Sequence, residues 1–295
     1  MVSIYEPSED YTLDDSTDQL CPLDNGKHDC SSSTYTLGYL SMLPMELLDM
    51  VLLDLDLRTL TDFRRLNKLA MQVVDSLPPY KKIFQHAPST LRGSLSIGTA
   101  RSITCPDLYE KLCTAECDCC GEDSGGYLYL VTFRRVCFFC FTEEQSFLPL
   151  LRSDVARKFA LPFSEVAKLP SMMTIPGRYS RAKDPRGSKC YKRVVLVDND
   201  AGLRAGIALH GDYYTMSKRA RDMMDIKLQA YQDRLEASKK RDYLGEPRPP
   251  KTVDGIDGYS VNPKRFMGVV RVPVLDPRNG SPLLSALCQC CRRIM

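Results

Sequence analysis

The stretch CDCCGEDSGGYLYLVTFRRVCFFC holds two cysteine pairs at a spacing that suits a metal ion. Cys117 and Cys120 form one C-x2-C pair and Cys137 and Cys140 another, with sixteen residues between them. A C-x2-C knuckle can aim both thiolates at one point, and two of them supply the four soft ligands of a tetrahedral zinc site. The gap falls in the window of zinc ribbons and treble-clef-like sites. Structural zinc on Cys117, Cys120, Cys137 and Cys140 is therefore the expectation. Four thiolates leave no open coordination position, so the pattern predicts structure and not catalysis. Cys119 could replace Cys117 or Cys120, and the plain alternative is a set of free cysteines packed as small hydrophobes. Cys288, Cys290 and Cys291 form a further cluster that could bring other ligands, with no matching half nearby.

Nothing else in the chain carries an enzyme's signature. There are three histidines, His28, His86 and His210. His210 could in principle partner a cysteine nucleophile, but no local motif accompanies it. There is no Gly-rich phosphate loop, no HExxH and no GxSxG. The chain is expected to be non-catalytic.

Composition narrows the partners. The 295 residues are 43% hydrophobic and 26% charged, with a net charge of +3, which gives no general reason to expect nucleic acid or an anionic membrane. No run approaches the ~20 apolar residues of a membrane helix. The opening MVSIYEPSEDYTLDD is acidic and unlike a secretory or mitochondrial leader. The tail CQCCRRIM fails as a prenylation signal because Arg292 occupies the fourth position from the end. Thirteen cysteines without a leader point to a reducing compartment, cytoplasm or nucleus.

The elements that must position these residues can be read in order. Residues 1–36 carry eight acidic side chains against Lys27 and few large apolar ones, so an unordered acidic tail is expected. From 37 to 86 the pattern is helical. Pro44 and Glu46 suit a first turn, and Leu47, Leu48, Val51, Leu52 and Leu55 follow at helical spacing. Asp56 can cap a second helix bearing Leu57, Leu60, Phe63 and Leu66. Asn67 can cap a third bearing Ala70, Val73, Val74 and Leu77, which Pro78-Pro79 stops. Residues 87–112 continue as a helical linker, 113–142 form the Cys-rich zinc-binding segment, and 143–295 form a mixed C-terminal domain. Within that domain LLRSDVARKFAL and SEVAKL read as short helices. KRVVLVDNDAGLRAGIALHG reads as a hairpin turning at Asn199-Asp200. Residues 213–243 form the longest helix, striped by Met216, Ala220, Met223, Ile226 and Ala230, and RFMGVVRVPVL a strand. The fold class is α+β and mainly helical: a three-helix module followed by a mixed α/β domain containing a zinc ribbon.

The segment LPMELLDMVLLDLDLRTLTDFRRLNKLAMQVVDS resembles the F-box. The likeness lies in Leu43-Pro44-x-Glu46-Leu47-Leu48, then Val51-Leu52, Leu55, Leu60 and Phe63-Arg64-Arg65-Leu66, with Val51 where Ile is commoner. LPPYKKIFQHAPSTLRGSL, LYEKLC, the Cys-rich segment and LPSMMTIPGRYS extend the resemblance to a group of fungal F-box proteins that carry a Cys-rich segment and an LP…PG.Y stretch. The resemblance implies docking to the Skp adaptor and, through it, to a cullin-RING ubiquitin ligase. Leu43, Pro44, Leu47, Leu48, Val51 and Leu55 are the candidate contacts, with Leu60, Phe63 and Leu66 holding the three helices together. Under that reading residues 88–295 recruit an unknown target protein for ubiquitination. The alternative is a zinc-stabilised nucleic-acid-binding or scaffold protein without a ligase role, weakened by bases and acids that interleave.

Overall fold

Asp56 and Asn67 begin helices by the mechanism their side chains predict. In the computed structural model, which describes residues 10–20, 36–122, 125–181, 189–239, 246–251 and 261–283, Asp56 accepts from the Thr59 N–H at 2.9 Å. Asn67 likewise accepts from the Ala70 N–H at 2.9 Å. Three helices follow in a row: α2 (Met45–Leu53), α3 (Leu57–Arg64) and α4 (Lys68–Ser76). Arg64 forks onto Asp75, Nε to Oδ1 at 2.7 Å and Nη2 to Oδ2 at 2.9 Å, and so clamps α3 to α4. Pro78-Pro79 stops α4 and also opens α5 (Pro78–His86), because proline suits a first helical turn. Helices α6 (Pro88–Ile97) and α7 (Cys105–Cys113) complete the helical part, α7 starting on a Thr104/Asp107 capping box.

The sheets are small and antiparallel. β1 (Tyr127–Tyr129) lies between β2 (Arg134–Val136) and β8 (Val269–Arg271). β7 (Val195–Val197) lies between β3 (Leu150–Leu151) and β4 (Ser171–Met173). β5 (Gly177–Arg178) pairs with β6 (Lys189–Cys190), and β9 (Val274–Leu275) with β10 (Pro282–Leu283). The remaining helices are α8 (Phe138–Glu143), α9 (Arg152–Lys158), α10 (Phe163–Val166), α11 (Asn199–His210) and α12 (Tyr213–Lys239). The architecture is α+β and mainly helical. Among the described residues no helix is long and apolar enough to cross a membrane.

The segment boundaries expected at 87, 113 and 143 do not divide the core. One buried cluster takes Leu48, Leu52, Leu57, Leu60, Val73 and Val74 from the three helices, Leu128 and Phe141 from the Cys-rich segment, and Phe266 and Val270 from the C-terminal part. A second, smaller cluster holds Val155, Phe159, Val197 and Met216. The helical module leans on the body through the Leu57 N–H, which donates to the Ile103 carbonyl at 3.0 Å.

Four expectations are corrected. Residues 10–20 are not an unordered tail. They include α1 (Leu13–Leu20), with Leu13 buried in the main core and Asp10 and Asp15 bound to Arg271. An anchor supplied by a residue so far along the chain is invisible to composition. Residues 1–9 and 21–35, like Cys288, Cys290 and Cys291, lie outside the described residues. Asn199-Asp200 is not a hairpin turn, because Asp198 accepts from the Ala201 N–H at 2.8 Å and N-caps α11. Asp-Asn-Asp serves either purpose, and burial of Asp198 against the Tyr129 hydroxyl (3.1 Å) decides it. Leu66 is exposed and does not hold the three helices together. On α12 only Met216 of the expected stripe is buried, and Ile226 faces solvent.

Candidate functional site

The first cysteine pair sits on a turn. The Cys117 N–H donates to the Glu122 carbonyl (2.8 Å) and the Gly121 N–H to the Cys117 carbonyl (2.9 Å). Gly121 closes this turn at φ 76°, where an L side chain is strained. The second pair is not a second knuckle. Cys137 is the N-cap of α8 and Cys140 lies in its first turn, so the helix N-terminus, not a ribbon, presents them. The β1–β2 hairpin carries the chain from one pair to the other.

All four sulfurs lie within 4.8 Å of one another. A tetrahedron of thiolates about 2.3 Å from a central ion has edges of about 3.8 Å. The Cys120–Cys137 sulfur separation is 3.9 Å. Two backbone amides add to the nest: the Cys137 N–H reaches the Cys117 sulfur at 3.3 Å and the Cys140 N–H the Cys137 sulfur at 3.4 Å. The four cysteines are thus placed to bind a metal ion. Cys119 is exposed and outside this mutual set.

The electrostatics agree. Burial opposes charge on Cys117, yet backbone N–H groups of Cys120, Cys137 and Cys119 hold its thiol below the ordinary value. Burial pushes Cys137 up to about 11, helped by the charges of Cys117 and Cys120. Cys140 is raised for the same reasons, burial first and then Cys137. Charging all four sulfurs in so small a space requires a cation among them.

Arg135 fastens this unit to the rest of the chain. Its side chain is fully buried and donates to the carbonyls of Gly125 (2.6 Å), Lys111 (3.0 Å) and Pro273 (3.0 Å). Burial lowers its pKa to about 10, with Asp118 opposing the shift. Asp118 in turn accepts from the Arg135 N–H (2.8 Å) and pairs with Lys111 (3.1 Å). Arg135→Met should leave these carbonyls unpaired, destabilise the chain by about 3 kcal/mol and weaken metal retention. Chemical denaturation and metal titration of the purified variant check this. Sequence reading missed Arg135, and its place directly before the β2 residue Val136 and the second cysteine pair was the only hint.

The other candidate surface lies on residues 39–51. Among the described residues seventeen large hydrophobic side chains are exposed, and seven of them fall in these thirteen positions: Tyr39, Met42, Leu43, Met45, Leu47, Met50 and Val51. Tyr39 is 92% exposed, Met42 81% and Met50 67%, whereas Leu48 is 3% and Leu52 1%. Pro44 is exposed as the N-cap of α2. Of the six expected contacts, Leu43, Pro44, Leu47 and Val51 are therefore available and Leu48 is not. Leu48 lies on the α2 face turned into the core, and Leu55 packs half-buried against the same core. Tyr39, Met42, Met45 and Met50 were missed. For Met45 and Met50 the signal was a helix apolar on more than one face, since one face must then lie outside its own core; Tyr39 and Met42 precede that helix.

No family model matches the chain, and neither curated proteins nor solved structures give a match.

Proposed function

We propose that the chain is an F-box-type substrate receptor. Its 39–51 surface docks a Skp adaptor, which links it to a cullin in a ubiquitin ligase, and its body recruits a target protein. The observation that carries this reading is the crowding of seven exposed apolar side chains onto thirteen positions. Monomers rarely leave so many such side chains together in water, and an exposed apolar cluster of this kind marks an interaction site. The receptor needs no chemistry of its own, since holding a target lysine near the charged enzyme works by proximity.

The metal in this reading is zinc held by Cys117, Cys120, Cys137 and Cys140. Four thiolates at tetrahedral spacing are the ligand set of a structural zinc site, and the ion would supply cross-linking of the turn to α8.

Affinity purification of the tagged chain with mass spectrometry tests the docking. Co-purification of a Skp adaptor and a cullin is the expected result, and their absence under conditions that keep the chain folded counts against it. Salt-sensitive retention on nucleic acid in their place would favour the zinc-stabilised nucleic-acid-binding reading.

A further inference from the structure

Outside the metal centre, residues 10–17 make a dense set of charged and main-chain contacts with distant parts of the chain. Residues 10–17 lie in a groove formed by α6, β5 and β8. Arg271 is its centre. Its Nη2 donates to the Asp10 carbonyl (2.7 Å), the Asp10 carboxylate (2.8 Å) and Asp15 Oδ2 (3.2 Å). Its backbone N–H donates to Asp14 Oδ2 (2.9 Å), and the Tyr127 hydroxyl donates to Asp10 Oδ2 (2.9 Å). Main-chain pairing adds direction, as Tyr11 and Ser180 exchange N–H···O bonds of 2.9 and 3.2 Å. Leu13 is the apolar anchor, fully buried beside Gly93. A Cβ at Gly177 would overlap the Ser16 side chain, so the groove is shaped to its occupant.

The strand pairing of the walls does not depend on the occupant, although the Arg271 side chain does. β8 is held by three pairs with β1, and β5 by two with β6. The occupant is the dependent partner. An eight-residue helix is too short to persist alone, and a segment this acidic has little to bury elsewhere.

We propose that this groove is a binding site for an acidic peptide with one leucine anchor, of the pattern Asp-x-x-Leu-Asp-Asp. The chain's own residues 10–17 occupy it as a competitor, and a target protein is recognised by displacing them. This names the substrate class of the receptor and rests on the receptor reading above. An intramolecular competitor at millimolar effective concentration should weaken binding of a free micromolar peptide by on the order of 100-fold or more.

The test uses the full chain and a fluorescent peptide of residues 10–20, DYTLDDSTDQL, followed by polarisation. The variant Asp10→Lys/Leu13→Asp/Asp15→Lys, with its own segment unseated, should bind the peptide about 100-fold more tightly than wild type. Adding Arg271→Glu or Gly177→Val should remove that binding, and a scrambled peptide of equal charge should not bind. An unseated variant that keeps its melting transition yet ignores the peptide, or that binds the scrambled one equally, overturns the inference. If the variant fails to fold, hydrogen exchange on wild type decides. Tyr11 and Leu13 amides that exchange well before those of β1 and β8 support it, and equal protection overturns it. Adaptor binding should be the same in wild type and these variants. Its absence while the peptide still binds would defeat the docking reading and leave the groove standing.

Discussion

If the 39–51 surface docks a Skp adaptor as proposed, replacing Leu47 and Val51 together by aspartate should abolish adaptor binding and leave the melting temperature within a few degrees of wild type. Both side chains are about half exposed, and they stand one turn apart on α2. Neither is needed by the core, which takes Leu48 and Leu52 from the adjoining face about 100° round the helix. A carboxylate pressed into an apolar interface loses its hydration without gaining a partner. If each position is an anchor worth about 2 kcal/mol, the pair should lower affinity by about a thousandfold. Calorimetric titration of purified adaptor into wild type and variant, beside thermal melts, reads both quantities. The choice of positions matters. Leu48→Asp would also abolish binding, but by burying a charge in the main core and unfolding the module, so it could not separate docking from stability. Undiminished binding by the Leu47/Val51 variant would place the adaptor contact elsewhere.

Replacing Cys137 and Cys140 by serine should remove the metal that the four cysteines are placed to bind, and with it the cooperative melting of the chain. Metal analysis should fall from about one zinc per chain to none, as expected of a four-cysteine structural site that loses half its ligands. Structural zinc contributes on the order of 10 kcal/mol to small zinc modules, as much as the entire stability of many domains. Here the site adjoins the main core directly, because Leu128, Val136 and Phe141 belong to it and stand between or beside the cysteine pairs. Loss of the ion should therefore be felt beyond 113–142, in the β1–β8 pairing above all. Cys119→Ser is the matched control. With Cys119 outside the mutual set, zinc content and melting should stay as in wild type. Unchanged zinc in the double variant would reject the ligand assignment.

The parts of this structure that local chemistry determines were legible in the sequence. Asp56 and Asn67 act as caps because an N-cap bond spans only three residues. The two C-x2-C pairs announced a common site because their ligands lie close along the chain. What could not be read depends on partners far apart. β8 completes the sheet of the Cys-rich segment by pairing Val270 with Leu128, and neither strand carries a sign of the other. Arg135, Arg265 and Arg271 look like solubilising charges in sequence. In the fold they are buried or nearly so, and they saturate carbonyls or carboxylates from distant segments. The acidic N-terminal stretch was misjudged for the same reason, since its order is supplied by Arg271. The apolar residues of 40–55 showed that α2 has more grease than one face can use. Only the fold tells which face, and it assigns Leu48 inward and Leu47 and Val51 outward.

Docking of a Skp adaptor on the 39–51 surface is the step on which the proposed function depends. Its most direct test is size-exclusion chromatography with light scattering on the purified zinc-loaded chain mixed with a purified Skp adaptor, followed by calorimetry. A one-to-one complex with a dissociation constant of about 1 µM or tighter is the expected result, within the range of a standard-sized interface. Two separate peaks, with no heat of binding at concentrations of about 50 µM, would contradict it.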